Sequence, residues 1–139
     1  MLPATARRVQ THTCDKVNDH IQSRTEENVE RYREATPTQI RRRLRQLDRE
    51  WDVERALQTN FAAVSLAGLA LGRLVDRKWY LLPAVASGFM LQHALQGWCP
   101  PLPVMRRIGV RTMSEIAEER RQLERLLAEA QQRRMEEAG

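Results

Sequence analysis

The chain has 139 residues, 29% of them charged, and a formal net charge of +5. That length suits one domain, and two cysteines, Cys14 and Cys99, do not make a disulfide framework, which points to a reducing compartment for the segments flanking the centre. Acidic residues are interspersed with the arginines except at Arg41–Arg45, and aromatics are only 5%. The basic balance therefore lacks the stacking surface of a nucleic-acid binder, and that class is excluded.

Met1–Gln10 (MLPATARRVQ) has no apolar core of signal-peptide type, so no cleaved export signal is expected. Residues 1–15 read as disordered. Asp15–Ala35 is highly charged, and Val17, Ile21, Val29 and Tyr32 mark a thin helical stripe. Residues 1–35 thus form a polar N-terminal arm, disordered in part or ordered by a partner. His12, Cys14 and His20 are scattered on this arm and make no metal site.

Thr36-Pro37-Thr38-Gln39 is a helix start, with Thr36 as cap, Pro37 at the first helical position and Gln39 completing a capping box. Ile40, Leu44, Leu47 and Trp51 then fall on one helical face. No glycine or proline follows until Gly68, so this helix is expected to run unbroken into the apolar stretch Ala56–Gly72. A second stretch, Tyr80–Trp98 (YLLPAVASGFMLQHALQGW), holds no Asp, Glu, Lys or Arg. As a helix, the distance from Trp79 to Trp98 comes to roughly 28 Å, close to the hydrocarbon thickness of a bilayer. The pattern predicts an all-α chain: a two-helix transmembrane hairpin, with spans at about 56–72 and 79–98, between long helical arms. The hairpin and the amphipathic helix leading into it occupy residues 36–111, and a C-terminal amphipathic helix occupies 112–139.

Within the hairpin, Gly68 and Gly72 have the small-xxx-small spacing that lets helices approach closely. Ala84, Gly88, Gln92, Gln96 and Cys99 lie along one stripe of the second span, and with Gly68 and Gly72 they form the expected helix-contact face. Trp51, Trp79, Trp98, Arg106 and Arg107 are expected as membrane-interface anchors. Arginines cluster before the first span (Arg41, Arg42, Arg43, Arg45, Arg49, Arg55) and after the second (Arg106, Arg107, Arg111), against Arg73, Arg77 and Lys78 in the turn. The positive-inside bias then places both termini in the cytoplasm. Thr112-xx-Glu115 is a second capping box, opening a helix whose face of Ile116, Leu123, Leu126, Leu127 and Ala130 is too thin for a large core and calls for a partner.

Several strings carry a family resemblance: LDREWDVERALQTN, SLAGLALG, DRKWYLLPAVASGFMLQHALQGWCPPLPVMRRIGVRT and EIAEER. Over roughly residues 36–121 the chain resembles small uncharacterised bacterial inner-membrane proteins with a YgaP-like transmembrane domain. The resemblance implies a helical hairpin in a bacterial inner membrane, without an established activity. It also implies self-association, since in the rhodanese YgaP that domain mediates dimerisation. Gly97-Trp98-Cys99-Pro100 matches the family's G-x-C-P element, whereas the Cys-Arg-x-Gly-x-Arg loop of the sulfurtransferase is absent.

Cys99 is the candidate for reactivity, weighed against a thiol that merely packs. His93 is a candidate haem ligand, weighed against a histidine hydrogen-bonded between helices. No phosphate loop, catalytic triad spacing or carboxylate pair is readable, and no cofactor is expected. Two functions follow. The first is a non-catalytic membrane subunit that packs as scaffold or assembly factor in a larger complex, of the kind that photosynthetic and respiratory machines recruit, or with itself. The second is a thiol or sulfur-relay protein using Cys99. The expected partners are membrane lipids and that complex.

Overall fold

A computed structural model describes residues 7–138; residues 1–6 and 139, and with them part of the expected disorder over residues 1–15, lie outside the described residues. All regular structure among these residues is helical. In chain order the helices are α1 (Arg8–Thr11), α2 (Asp15–Arg31), α3 (Pro37–Leu47), α4 (Val53–Leu74), a 3-10 turn (Arg77–Tyr80), α5 (Leu81–Gln96), α6 (Leu102–Arg107) and α7 (Met113–Ala138).

Both capping boxes form. Thr36 Oγ1 accepts from the Gln39 N–H at 3.4 Å, while the Gln39 side chain accepts from the Thr36 N–H at 2.9 Å. At α7, Glu115 accepts the Thr112 N–H at 2.8 Å and Thr112 Oγ1 accepts the Glu115 N–H at 3.3 Å. These reciprocal bonds satisfy donors that a helix start leaves orphaned.

The expected unbroken helix from Thr36 into the apolar stretch is not observed: α3 stops at Leu47 and α4 begins afresh at Val53. Asp52 restarts the chain, its carboxylate accepting the Arg55 N–H at 3.0 Å. The Val53 N–H is bonded to the Arg111 carbonyl at 2.9 Å, and Glu50 is drawn to the Arg111 guanidinium. A good cap and two contacts from distant residues outweigh helix propensity, which is a weak preference.

The thin apolar faces of the two arms meet each other. α7 packs on both α2 and α3. Ile40 and Leu47 interlock with Ile116, Leu123 and Ala130, flanked by Tyr32, Leu44 and Leu127. The partner that these stripes call for is thus supplied within the chain, and we call this unit the base. α1 belongs to it as well: Val9 is buried with Val53, Leu57, Cys99 and Leu102 in a second small cluster.

Above that cluster, α4 and α5 form a hairpin closed by the 3-10 turn. Asp76 caps the turn by accepting the Lys78 N–H at 2.8 Å. A Cβ on Gly68 would lie 2.5 Å from Pro83 Cδ, and one on Gly72 would lie 2.7 Å from the Tyr80 ring. The two glycines therefore set how closely the helices approach.

The structure corrects the membrane assignment. Among the described residues no helix is long and apolar enough to cross a membrane. α5 is apolar but has 16 residues, about 24 Å at 1.5 Å per residue, against a hydrocarbon core of about 30 Å. Gly97, at φ 79°, ends it before the expected limit at Trp98. α4 has 22 residues, but it carries Glu54 and Arg55 in its first turn, Gln58, Thr59 and Asn60 in the next, and Arg73 in its last. The bilayer-spanning hairpin and the inner-membrane location with cytoplasmic termini are overturned on this ground. So is the anchoring role of Arg106, which is 1% exposed.

Candidate functional site

Two polar constellations occupy the junction between hairpin and base. The first is a set of buried arginines. Arg106 sits on α6 because the chain, after reversing at Gly97, forms a short helix through Leu102–Arg107. Its guanidinium donates to both Glu115 oxygens at 2.7 Å, to Asn18 Oδ1 at 2.9 Å and to the Val110 carbonyl at 3.1 Å. A planar fork with five donors suits a bidentate carboxylate and two further acceptors, a geometry that lysine cannot reproduce. Burial alone would raise the Glu115 carboxyl, but Arg106 and the Thr112 N–H hold it below its ordinary value.

Arg111, in the loop before α7, donates to both Glu50 oxygens at 2.7 Å, and on its other side to Glu119 and Thr25. Glu119 is fully buried and also accepts from Arg43 at 2.8 Å. Burial pushes the Arg111 pKa down, but the Glu50 and Glu119 carboxylates outweigh it and leave it raised. Carboxylates and guanidiniums saturate one another here, and the arrangement ties α2, α3 and α7 together rather than offering a reacting group.

The second constellation lies where α5 meets α4. His93, 1% exposed, projects inward from the last turn of α5. Its Nε2 is 3.2 Å from a Glu54 oxygen, and the other Glu54 oxygen accepts from Arg8 at 3.0 Å. Cys99, which follows the reversal at Gly97, is 3% exposed. Cys99 and Glu54 together raise the His93 pKa to about 9, against the opposing effect of burial. The His93 contact in turn lowers Glu54 to about 2, with Arg8 adding to the effect. His93 Nδ1 is buried without a hydrogen-bond partner. Cys99 also lines an apolar groove of about 150 Å³ between α4 and α5.

The residues expected on one contact face separate. Gly68, Gly72 and Cys99 are buried, Gln92 is half-buried, and Ala84, Gly88 and Gln96 are exposed. No atom lies within 4 Å of a Cβ built on Gly88. Of the expected anchors besides Arg106, Trp51 and Trp79 are exposed, Trp98 is half-buried and Arg107 is exposed. Arg55 lies over the Trp51 ring at 4.6 Å. The candidate haem ligand His93 has one nitrogen on Glu54. Cys14 and His20 are exposed on the N-terminal arm, and among the described residues no group of three or more His, Cys, Asp or Glu side chains is placed to hold a metal ion.

Reading the sequence alone missed Glu54, Arg8, Glu50 and Glu119 as partners. The only local signal was a carboxylate at Glu54 immediately before an apolar run, where an acid needs a cation or a hydrogen bond. Compared with family models, curated proteins and solved structures, the chain matches none.

Proposed function

We propose that the protein is a non-catalytic scaffold or assembly subunit whose α4–α5 hairpin is buried in a larger protein complex while the base holds it in position. The observation that carries this reading is the outer surface of the hairpin. Leu66, Leu69, Leu74, Val75, Leu81, Val85, Leu91 and Leu95 are all exposed, and α5 has almost no polar side. A helix apolar on every side belongs in a buried setting, and contiguous apolar surface marks an interaction site. The resemblance to YgaP-like hairpins supports contact with a second hairpin as one form of that complex. The saturated ion pairs of the base support a positioning role rather than a chemical one.

The test is a pair of substitutions on the outer face, Leu66→Glu with Leu91→Glu, read by native electrophoresis of the extracted complex and by a photo-crosslinker at Leu95. The charges are expected to release the chain from the complex and abolish the crosslink, with helix content unchanged by circular dichroism. A wild-type chain that stays monodisperse as a 16.2 kDa monomer without detergent and forms no crosslink would end the reading.

A further inference from the structure

We infer that the cavity enclosed by α2, α3 and the Gly109–Arg111 loop is a binding site for a small monocarboxylate, anchored by Arg24. The inference goes beyond the scaffold reading and does not depend on it.

The cavity, of about 190 Å³, is walled mainly by polar side chains from four parts of the chain. Arg24 and Asn28 come from α2, Arg43 from α3, Glu50 from the link between α3 and α4, and Arg111 from the loop before α7. Ile21, one turn before Arg24 on the same face of α2, is the apolar part of the wall.

Charge decides what this space takes. Arg111 is engaged by Glu50 and Glu119, and Arg43 by Glu119. Two guanidiniums and two carboxylates cancel. Arg24 is the cation left over: among the described residues no carboxylate or other acceptor meets its guanidinium. The Asn28 amide, half-buried one turn further along α2, is likewise without a partner among these residues. The site therefore presents one surplus positive charge and two sets of unused N–H donors, beside groups that are already satisfied.

Arg24 lines the cavity yet remains exposed, so it stands at the mouth. Its guanidinium lies against the loop, with Nη1 2.7 Å from where a Cβ on Gly109 would stand. Any side chain at residue 109 would push the guanidinium away, and the φ of 90° there also suits glycine alone.

Size and charge then select the ligand. Liquid water takes about 30 Å³ per molecule, so the space matches about six water-sized groups, or a ligand of about four to six non-hydrogen atoms. A planar carboxylate accepts two parallel N–H bonds from one guanidinium, and its single charge cancels the surplus. A phosphate monoester carries about −1.5 to −2 at neutral pH, and the excess meets Glu50 in the same wall. Carboxylate is favoured over phosphate on that ground. Ile21, 2% exposed, gives the short hydrocarbon part its contact.

The test titrates the full chain with propionate at pH 7.5 and constant ionic strength, following arginine side-chain and asparagine amide signals by two-dimensional NMR. A saturable shift is expected at Arg24 and Asn28, with none at Arg45, an exposed arginine on α3. Propionamide, the neutral analogue of the same shape, should give no shift, and methyl phosphate should bind more weakly than propionate. Arg24→Gln changes an exposed side chain that takes part in no ion pair among the described residues, so circular dichroism should not change. The same substitution should weaken propionate binding by about tenfold or more, as loss of a charged bidentate contact requires. Arg24→Lys should recover only part of the affinity, because lysine keeps the charge but not the fork. Shifts of equal size at Arg24 and Arg45, an affinity that Arg24→Gln leaves unchanged, or tighter binding of methyl phosphate than of propionate would overturn the inference.

Discussion

In the base, charge is inside: Arg106, Arg111 and Glu119 are buried, and apolar side chains meet in a thin seam along α3 and α7. In the hairpin the arrangement is inverted. Leucines stand outside, and the deeply buried side chain of α5 is His93. The contrast shows how each region gets its specificity. Buried ion pairs add little net stability over apolar replacements, but each half is costly to leave alone, so the base tolerates one arrangement only. The hairpin has close packing at Gly68 and Gly72 but few directional bonds, and its outer surface is apolar and exposed.

Arg111→Ala should break the contrast most severely. It removes both bonds to Glu50 and leaves buried Glu119 with Arg43 alone, and the expected loss is about 3–5 kcal/mol. Urea titration followed by circular dichroism gives the size, and amide exchange gives the place. Protection should fall in α3 and α7 far more than in the upper turns of α4 and α5. Equal loss in both would mean that hairpin and base unfold as one unit.

Gly68→Leu attacks the other side. Its new side chain would collide with Pro83 and Leu82, at a cost of about 1–3 kcal/mol for overpacking. Amide exchange should rise in α4, the 3-10 turn and α5 while the base keeps its protection. A base that loosens as well would erase the distinction.

The junction between the regions should respond to pH. His93 is raised to about 9, so its contribution is complete below about 6.5 and is lost as pH rises through 9. Glu54 is lowered to about 2, so its contribution is complete above about 4.5 and is lost as pH falls through 2. The pair therefore supports the fold fully between about pH 4.5 and 6.5. The alkaline loss, on the order of 1 kcal/mol after allowance for the partly exposed Glu54, should vanish in His93→Gln. An alkaline slope that survives this substitution would assign it to another group.

The smallest effect is expected from Gly88→Leu. Nothing surrounds that position, so the stability of the isolated chain should change by less than about 0.5 kcal/mol. If the hairpin is clasped by a partner on this face, the same substitution should weaken the complex. The gap between the two measurements sharpens the view of the hairpin as a docking element.

Much of this chain could be read without coordinates. Thr36 and Thr112 announced the starts of α3 and α7, because a capping box acts over three residues. The periodic stripe Ile40, Leu44, Leu47 marked the buried side of α3. The contact face of α5 was not legible for the same kind of reason. An all-apolar helix has no preferred side in its own pattern, so nothing local marked His93 as the deeply buried side chain. Length was misjudged too, since absence of charge through Trp98 hid the helix stop that Gly97 makes at φ 79°.

The sequence by itself determined that the chain is helical, where its caps lie and which stretch is apolar, because these follow from interactions spanning one or two helical turns. Tertiary structure alone decided which charges are buried. Arg106 meets Asn18 across 88 residues and Arg111 meets Glu50 across 61, while Arg107, next in sequence to Arg106, stays at the surface. No local pattern distinguishes those arginines. The choice rests on burial, where a guanidinium is held in place only if carboxylates from distant helices reach it.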